Sequence, residues 1–210
     1  MPARKQTSPG AHVCKGRPRT FDRQAALEKA LAVFWLRGYE PATMAELCGA
    51  MEINPPSLYA AFGNKAQLFL EAVKHYENVY WDSTWTEMGE SLDIREGLLD
   101  FFKNAARILT SLDVPCGCMV ILGATNVSPE AQEVNDALRE LRKEGKDFIL
   151  ARLERAVEDG QLVPSTDVEG LAFTLNTLLE GMSLQARDGM TRSDMERIAE
   201  TLMALLPVAR

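Results

Sequence analysis

Two short stretches carry residue types that can do chemistry. In Cys116-Gly117-Cys118-Met119, two thiols flank a glycine at the start of an apolar run. Thiols at a helix N-terminus can have lowered pKa values and can react with oxidants or electrophiles or bind Cu(I). Cys-x-Cys closes a cramped disulfide ring, and no His/Cys pair elsewhere completes a tetrahedral zinc site, so small apolar packing is the competing reading and no metal is expected. The second stretch, Asn54-Pro55-Pro56-Ser57-Leu58-Tyr59-Ala60-Ala61-Phe62, offers compact side chains after a helix-opening proline pair. A helix of this kind can lay its backbone close to base edges in a major groove and its N-terminus near phosphate. Enzymatic chemistry finds no foothold. There is no glycine-rich phosphate loop and no HExxH, and neither His12 nor His75 lies near a convincing nucleophile.

These stretches must be positioned by helices. Leu27, Ala30, Leu31 and Phe34 recur at helical spacing, with Asp22 placed to cap the start and Gly38 the end. Thr43 caps a short second helix with Met44, Leu47 and Met51 on one side, and Pro55 opens the third. Asn64 begins a long fourth helix through Tyr76 and Val79. Further helical stripes follow to the C-terminus. They include a run at Met119–Ala124 that is apolar all round and two last helices near 167–187 and 193–206. Nothing alternates as a strand would. The expected fold is all-α, an N-terminal three-helix helix-turn-helix followed by a larger C-terminal helical part. The divisions are a basic arm over 1–19, a DNA-binding domain over 20–80 with its motif at 43–62, and a sensing and dimerisation domain over 81–210.

Charge is unevenly spread. Of 210 residues with net charge −7, residues 1–65 carry nine Lys/Arg against five Asp/Glu, and the remainder 14 against 25. A basic end on an acidic body suits a protein that meets phosphate with one end only. No apolar run approaches the roughly 20 residues of a membrane span, and the basic start lacks the apolar core of a secretory signal, so a cytoplasmic protein is expected. Four cysteines do not make a disulfide framework.

The stretch from Arg19 to Tyr76, including ALAVFWLRGYEPATMAELCGAMEINPPSLYAAFGNKAQLF, resembles the tetracycline-repressor (TetR) family of regulators. The Gly-Tyr, Thr, Leu-Tyr, Phe and Asn-Lys positions stand in order at the family's intervals. The resemblance implies a sequence-specific DNA-binding homodimer, commonly a repressor released from its operator by a small-molecule or thiol-reactive signal. It implies phosphate contacts by Thr43, Ser57, Tyr59 and Lys65, with Pro55, Pro56, Ala60 and Ala61 along bases or sugars. Asn54 and Ser57, thymine methyl contacts and DNA shape would supply specificity. Arg17 and Arg19 in Gly16-Arg17-Pro18-Arg19 either clamp a minor groove or belong to a solvated tail.

An effector cavity is expected among the middle helices. Trp81, Trp85, Phe101 and Phe102 are candidates for its lining, as are Met119, Leu122 and Phe148, with simple core packing as the alternative for each. No concentration of charge in the apolar segments announces an ionic ligand. Leu171, Leu175, Leu178, Leu179 and Met182 form one apolar stripe; Ile198, Leu202, Leu205 and Leu206 form another. Both fit a dimer interface or the chain's own core. No cofactor is expected. A helical partner-binding adaptor without specific DNA recognition remains the rival function.

Overall fold

The computed structural model describes residues 21–209, so the arm, with Arg17 and Arg19, lies outside the described residues. Ten α-helices follow one another: α1 Arg23–Arg37, α2 Met44–Met51, α3 Pro55–Phe62, α4 Lys65–Tyr76, α5 Asp82–Glu90, α6 Ile94–Leu109, α7 Met119–Leu122, α8 Gln132–Glu158, α9 Val168–Arg187 and α10 Arg192–Leu205. A single bridge, Leu162 to Val208, is the extended pairing among the described residues.

The helix starts are set by side-chain caps. Asp22, Thr43, Asn54, Asn64, Asp93, Asp167 and Thr191 each accept a backbone N–H of the following first turn. Such a cap contributes about 1 kcal/mol. Helices α1 to α4 close a small core in which Leu27, Leu31, Phe34, Leu47, Leu58 and Leu68 are buried. Phe34 meets Phe69 edge to face, with ring centres 5.0 Å apart.

Between α4 and α5 the chain does not break. Glu77–Trp81 forms one π turn, so α4 runs from the N-terminal head into the body as a near-continuous rod. Behind it, α6 is buried along one side, α10 packs on α6, and α8 packs on α9. Arg152 of α8 is buried, and its guanidinium donates to the Met88 and Ser91 carbonyls at the end of α5, at 3.3 and 3.0 Å. A cation at a helix C-terminus is favourably placed.

Candidate nucleic-acid interface and effector cavity

On the head, α3 turns Leu58 and Phe62 inward and leaves Asn54, Pro55, Pro56, Tyr59 and Ala60 exposed, Tyr59 by 51%. Asn54 Oδ1 accepts the Ser57 N–H at 2.9 Å. Because Pro55 and Pro56 carry no N–H and the Ser57 N–H is capped, the first turn of α3 has no free backbone donor for a phosphate, which leaves that role to the Ser57 hydroxyl. The expectation that this N-terminus meets phosphate through its backbone N–H groups is therefore corrected. The α2 start keeps that capacity, since Thr43 Oγ1 caps only the Glu46 N–H, at 3.1 Å. Lys65 lies over the Tyr39 ring at 4.5 Å and donates from Nζ to the Glu40 carbonyl at 3.1 Å. Burial lowers its pKa from the usual lysine value.

Four basic side chains lie between Arg23 and Lys65. Arg23 pairs with Glu71, Lys29 with Glu52 and Arg37 with Glu46, at 2.5, 2.6 and 3.0 Å. Lys65 is thus the one of these four without a carboxylate partner among the described residues.

The body touches the head through the thiol segment. Gly117, at φ +84°, has its carbonyl held by Trp35 Nε1 at 2.7 Å. Arg187 of α9 donates to the Cys116 and Trp35 carbonyls at 3.0 and 2.7 Å. The Cys118 N–H donates to Ser183 Oγ at 2.8 Å, and the Tyr39 N–H to the Gly123 carbonyl at 2.6 Å. Four of these hydrogen bonds tie the end of α1 and the C-terminal turns of α9 to the segment around α7, and the fifth, from Arg187 to the Trp35 carbonyl, ties α9 to α1.

The other side of α7 faces a cavity of about 190 Å³. Trp81, Trp85 and Phe148 give it an aromatic wall, Val120, Ile121 and Leu179 an aliphatic one. The Trp81 and Trp85 ring centres are 6.2 Å apart, and Phe148 stands edge-on to Trp85 at 5.8 Å. Glu77, Glu144, Glu180, Arg142 and Asn176 supply polar groups. Burial, then the neighbouring charges of Asp82 and Glu144, push the Glu77 carboxyl up to about 7.

Comparison with known proteins fits this architecture. Residues 26–72 match the model of bacterial regulatory proteins of the tetR family, and residues 95–205 that of the tetracyclin repressor-like C-terminal domain. The transcriptional repressor ComR of Escherichia coli K12 is 34% identical over 194 residues, 92% of each chain. The chain belongs to the TetR family. A second E. coli K12 repressor, BdcR, is 30% identical over 83% of each chain. The cysteine-substituted TetR-family regulator CifR, solved with a 26-base-pair operator DNA, superposes with a TM-score of 0.87. It is 41% identical, over 91% of this chain and all of CifR.

In this TetR-family chain, the exposed face of α3 gathers Asn54, Pro55, Pro56 and Tyr59, while Thr43 stands at the start of α2 and Lys65 at that of α4. Ser57 is half-buried. Of the expected cavity lining, Trp81, Trp85 and Phe148 are present; Phe148 is 41% exposed, although its spacing predicts an inward position. Phe101, Phe102 and Met119 are buried in the core instead, and Leu122 turns its methyl toward Gly117. The run at Met119–Ala124 forms only the four-residue α7, which ends at Gly123 and places Val120 and Ile121 on the cavity. Charge, not expected there, arrives on Glu77, Glu144 and Glu180 from three separate helical stretches. The spacing Glu77, Trp81, Trp85 on one helical face is the signal that sequence reading passed over.

The thiols also differ from expectation. Cys118 is buried, and burial pushes its thiol up to about 11, opposite to an activated thiolate. Cys116 is half-buried with a free thiol. The apolar stripes need a similar correction. Leu175, Leu179, Met182, Leu202 and Leu206 are buried within the single chain, so they serve its own core. Leu171, Leu178 and Ile198 are half-buried, and Leu205 is exposed. The free face of α9 instead shows Phe173, Thr177, Gly181 and Leu184.

Proposed function

We propose that this TetR-family chain is a homodimeric, cytoplasmic transcriptional repressor, released from its operator when a small molecule fills the cavity beside α7. The CifR–operator complex, at 41% identity over 91% of this chain, carries the reading. The α3 face would enter the major groove, with phosphates met at the α2 start, by Tyr59 and by Lys65. Arg17 and Arg19 of the arm would add cations that the head spends on its own ion pairs. The cytoplasmic assignment is supported by the absence, among the described residues, of a helix long and apolar enough to cross a membrane. Divisions at 19 and 80 remain our proposal for the arm, the head and the body.

Release follows from the contacts around α7. A ligand against Val120 and Ile121 favours one position of α7, and the Tyr39–Gly123 and Trp35–Gly117 bonds pass that preference to α1. Glu77 and Trp81 do the same to α4 through the π turn. The equilibrium shifts between head separations that do and do not match successive major grooves.

The test is titration of the chain against DNA flanking its own gene, over a salt series and beside random duplex. Saturable binding at least ~1,000-fold tighter than to random DNA is expected. Lys65→Ala should weaken it roughly tenfold and reduce the salt slope by about one. Equal, weak binding to every duplex sinks the repressor and revives the adaptor.

A further inference from the structure

The repressor reading leaves the effector's chemistry open, and the cavity lining narrows it. Glu77 enters from the π turn, Glu144 from α8 and Glu180 from α9. None of the three has a cationic partner among the described residues. Glu180 Oε1 accepts from Asn176 Nδ2 at 3.1 Å, a neutral donor. The one base in the lining, Arg142, directs its guanidinium to the Val120 carbonyl at 2.8 Å. Glu144 is exposed and Glu180 half-buried, so the desolvation falls on Glu77; an unpaired carboxylate beside apolar surface is costly, and a ligand that supplies positive charge lowers that cost. The aromatic wall points the same way, because the faces of Trp81, Trp85 and Phe148 carry negative potential.

We propose that the cavity takes a small organic cation, an aryl- or alkylammonium, with its apolar body against Trp81, Trp85 and Phe148 and its charge met by Glu77. An anion would face three carboxylates with only Arg142 to offset them. A neutral ligand would leave the carboxylates as they are. The cavity volume of about 190 Å³ limits the occupant to roughly one ring with a short substituent. Ionisable groups around Glu77 are Asp82 at the start of α5, the Cys118 thiol before α7, Arg142 and Glu144 on α8, and Glu180 on α9. With its pKa at about 7, Glu77 must release a proton to meet the cation. Affinity should therefore fall by up to about tenfold per pH unit below 7 and level off above it.

The inference rests on the effector reading for its biological meaning, and one pair of probes separates the two. Phenyltrimethylammonium and its uncharged isostere tert-butylbenzene are titrated into the full chain at pH 8, followed by tryptophan fluorescence and calorimetry, with operator binding measured in parallel. The cation should bind at least roughly tenfold tighter than the isostere. Glu77→Gln should remove most of that preference. If that variant does not fold, the Glu144→Gln/Glu180→Gln double variant should reduce the preference in its place. Equal or tighter binding of the isostere, no detectable binding of the cation, or indifference to both sets of substitutions overturns the proposal. Cation binding without operator release upholds the ligand class and removes the effector role; operator release by the isostere alone does the reverse.

Discussion

Glu77 sits where the head's last helix becomes the body's first, and its ionisation is coupled to folding. Its ordinary pKa near 4.5 rises to about 7 in the folded chain, so the folded state holds the proton more tightly than the unfolded one. Above pH 7 both states are ionised and the full desolvation penalty is present; between pH 7 and 4.5 it fades as the folded carboxyl protonates first. Glu77→Gln should therefore raise Tm at pH 8, by an amount corresponding to roughly 1–3 kcal/mol, and change it little at pH 4.5. Thermal unfolding at the two pH values checks this, and equal shifts at both would refute it. On the head, the residue scale is one of scarcity. Three of the four cations between Arg23 and Lys65 are held by Glu71, Glu52 and Glu46. Exposed ion pairs of this kind contribute little stability, so their consequence is for the field that DNA meets.

At the scale of elements, the segment around α7 is the joint. Trp35→Phe keeps the ring in the core and removes the N–H that holds the Gly117 carbonyl. Stability should fall by about 1 kcal/mol, and operator affinity should respond less to any effector. Gly117→Ala is harsher, since its Cβ would stand 2.8 Å from a Leu122 methyl and 2.9 Å from the Ser183 carbonyl at a φ that disfavours side chains. A loss of roughly 1–3 kcal/mol in denaturant unfolding is expected. Helix starts were legible in the sequence because caps are local: Asp22, Thr43 and Asn64 act within three residues, while the Asn54 cap was hidden behind the proline pair that follows it. The π turn was not, because Glu77–Trp81 has no residue type that marks a five-residue register. Nor was the cavity's charge, which is assembled from positions 77, 144 and 180 and exists only after packing.

For the whole molecule the same limit governs the dimer. Periodicity identifies Leu175, Leu179 and Met182 as apolar but not which neighbour covers them, and α8 and α6 of the same chain do so. We propose the opposite face of α9 as the seat of a second copy, where Phe173 is 58% and Leu184 52% exposed and Gly181 has open space above it, ahead of α10, which exposes Leu205. Gly181 permits close approach of a partner helix across a two-fold axis. Phe173→Glu should give a monomer by light scattering without unfolding it, and operator affinity should drop by more than ~100-fold as one head is lost. A dimer that persists with full affinity would place the interface elsewhere.

The ties among α1, the α7 segment and α9 end mainly on main-chain atoms: the carbonyls of Trp35, Cys116, Gly117 and Gly123, and the N–H groups of Tyr39 and Cys118. Main-chain groups do not change when a side chain is exchanged. Val120 and Ile121 can therefore drift to suit another molecule while the wiring to the reading head stays intact. A chain built this way can acquire a new inducer without having to reinvent its response.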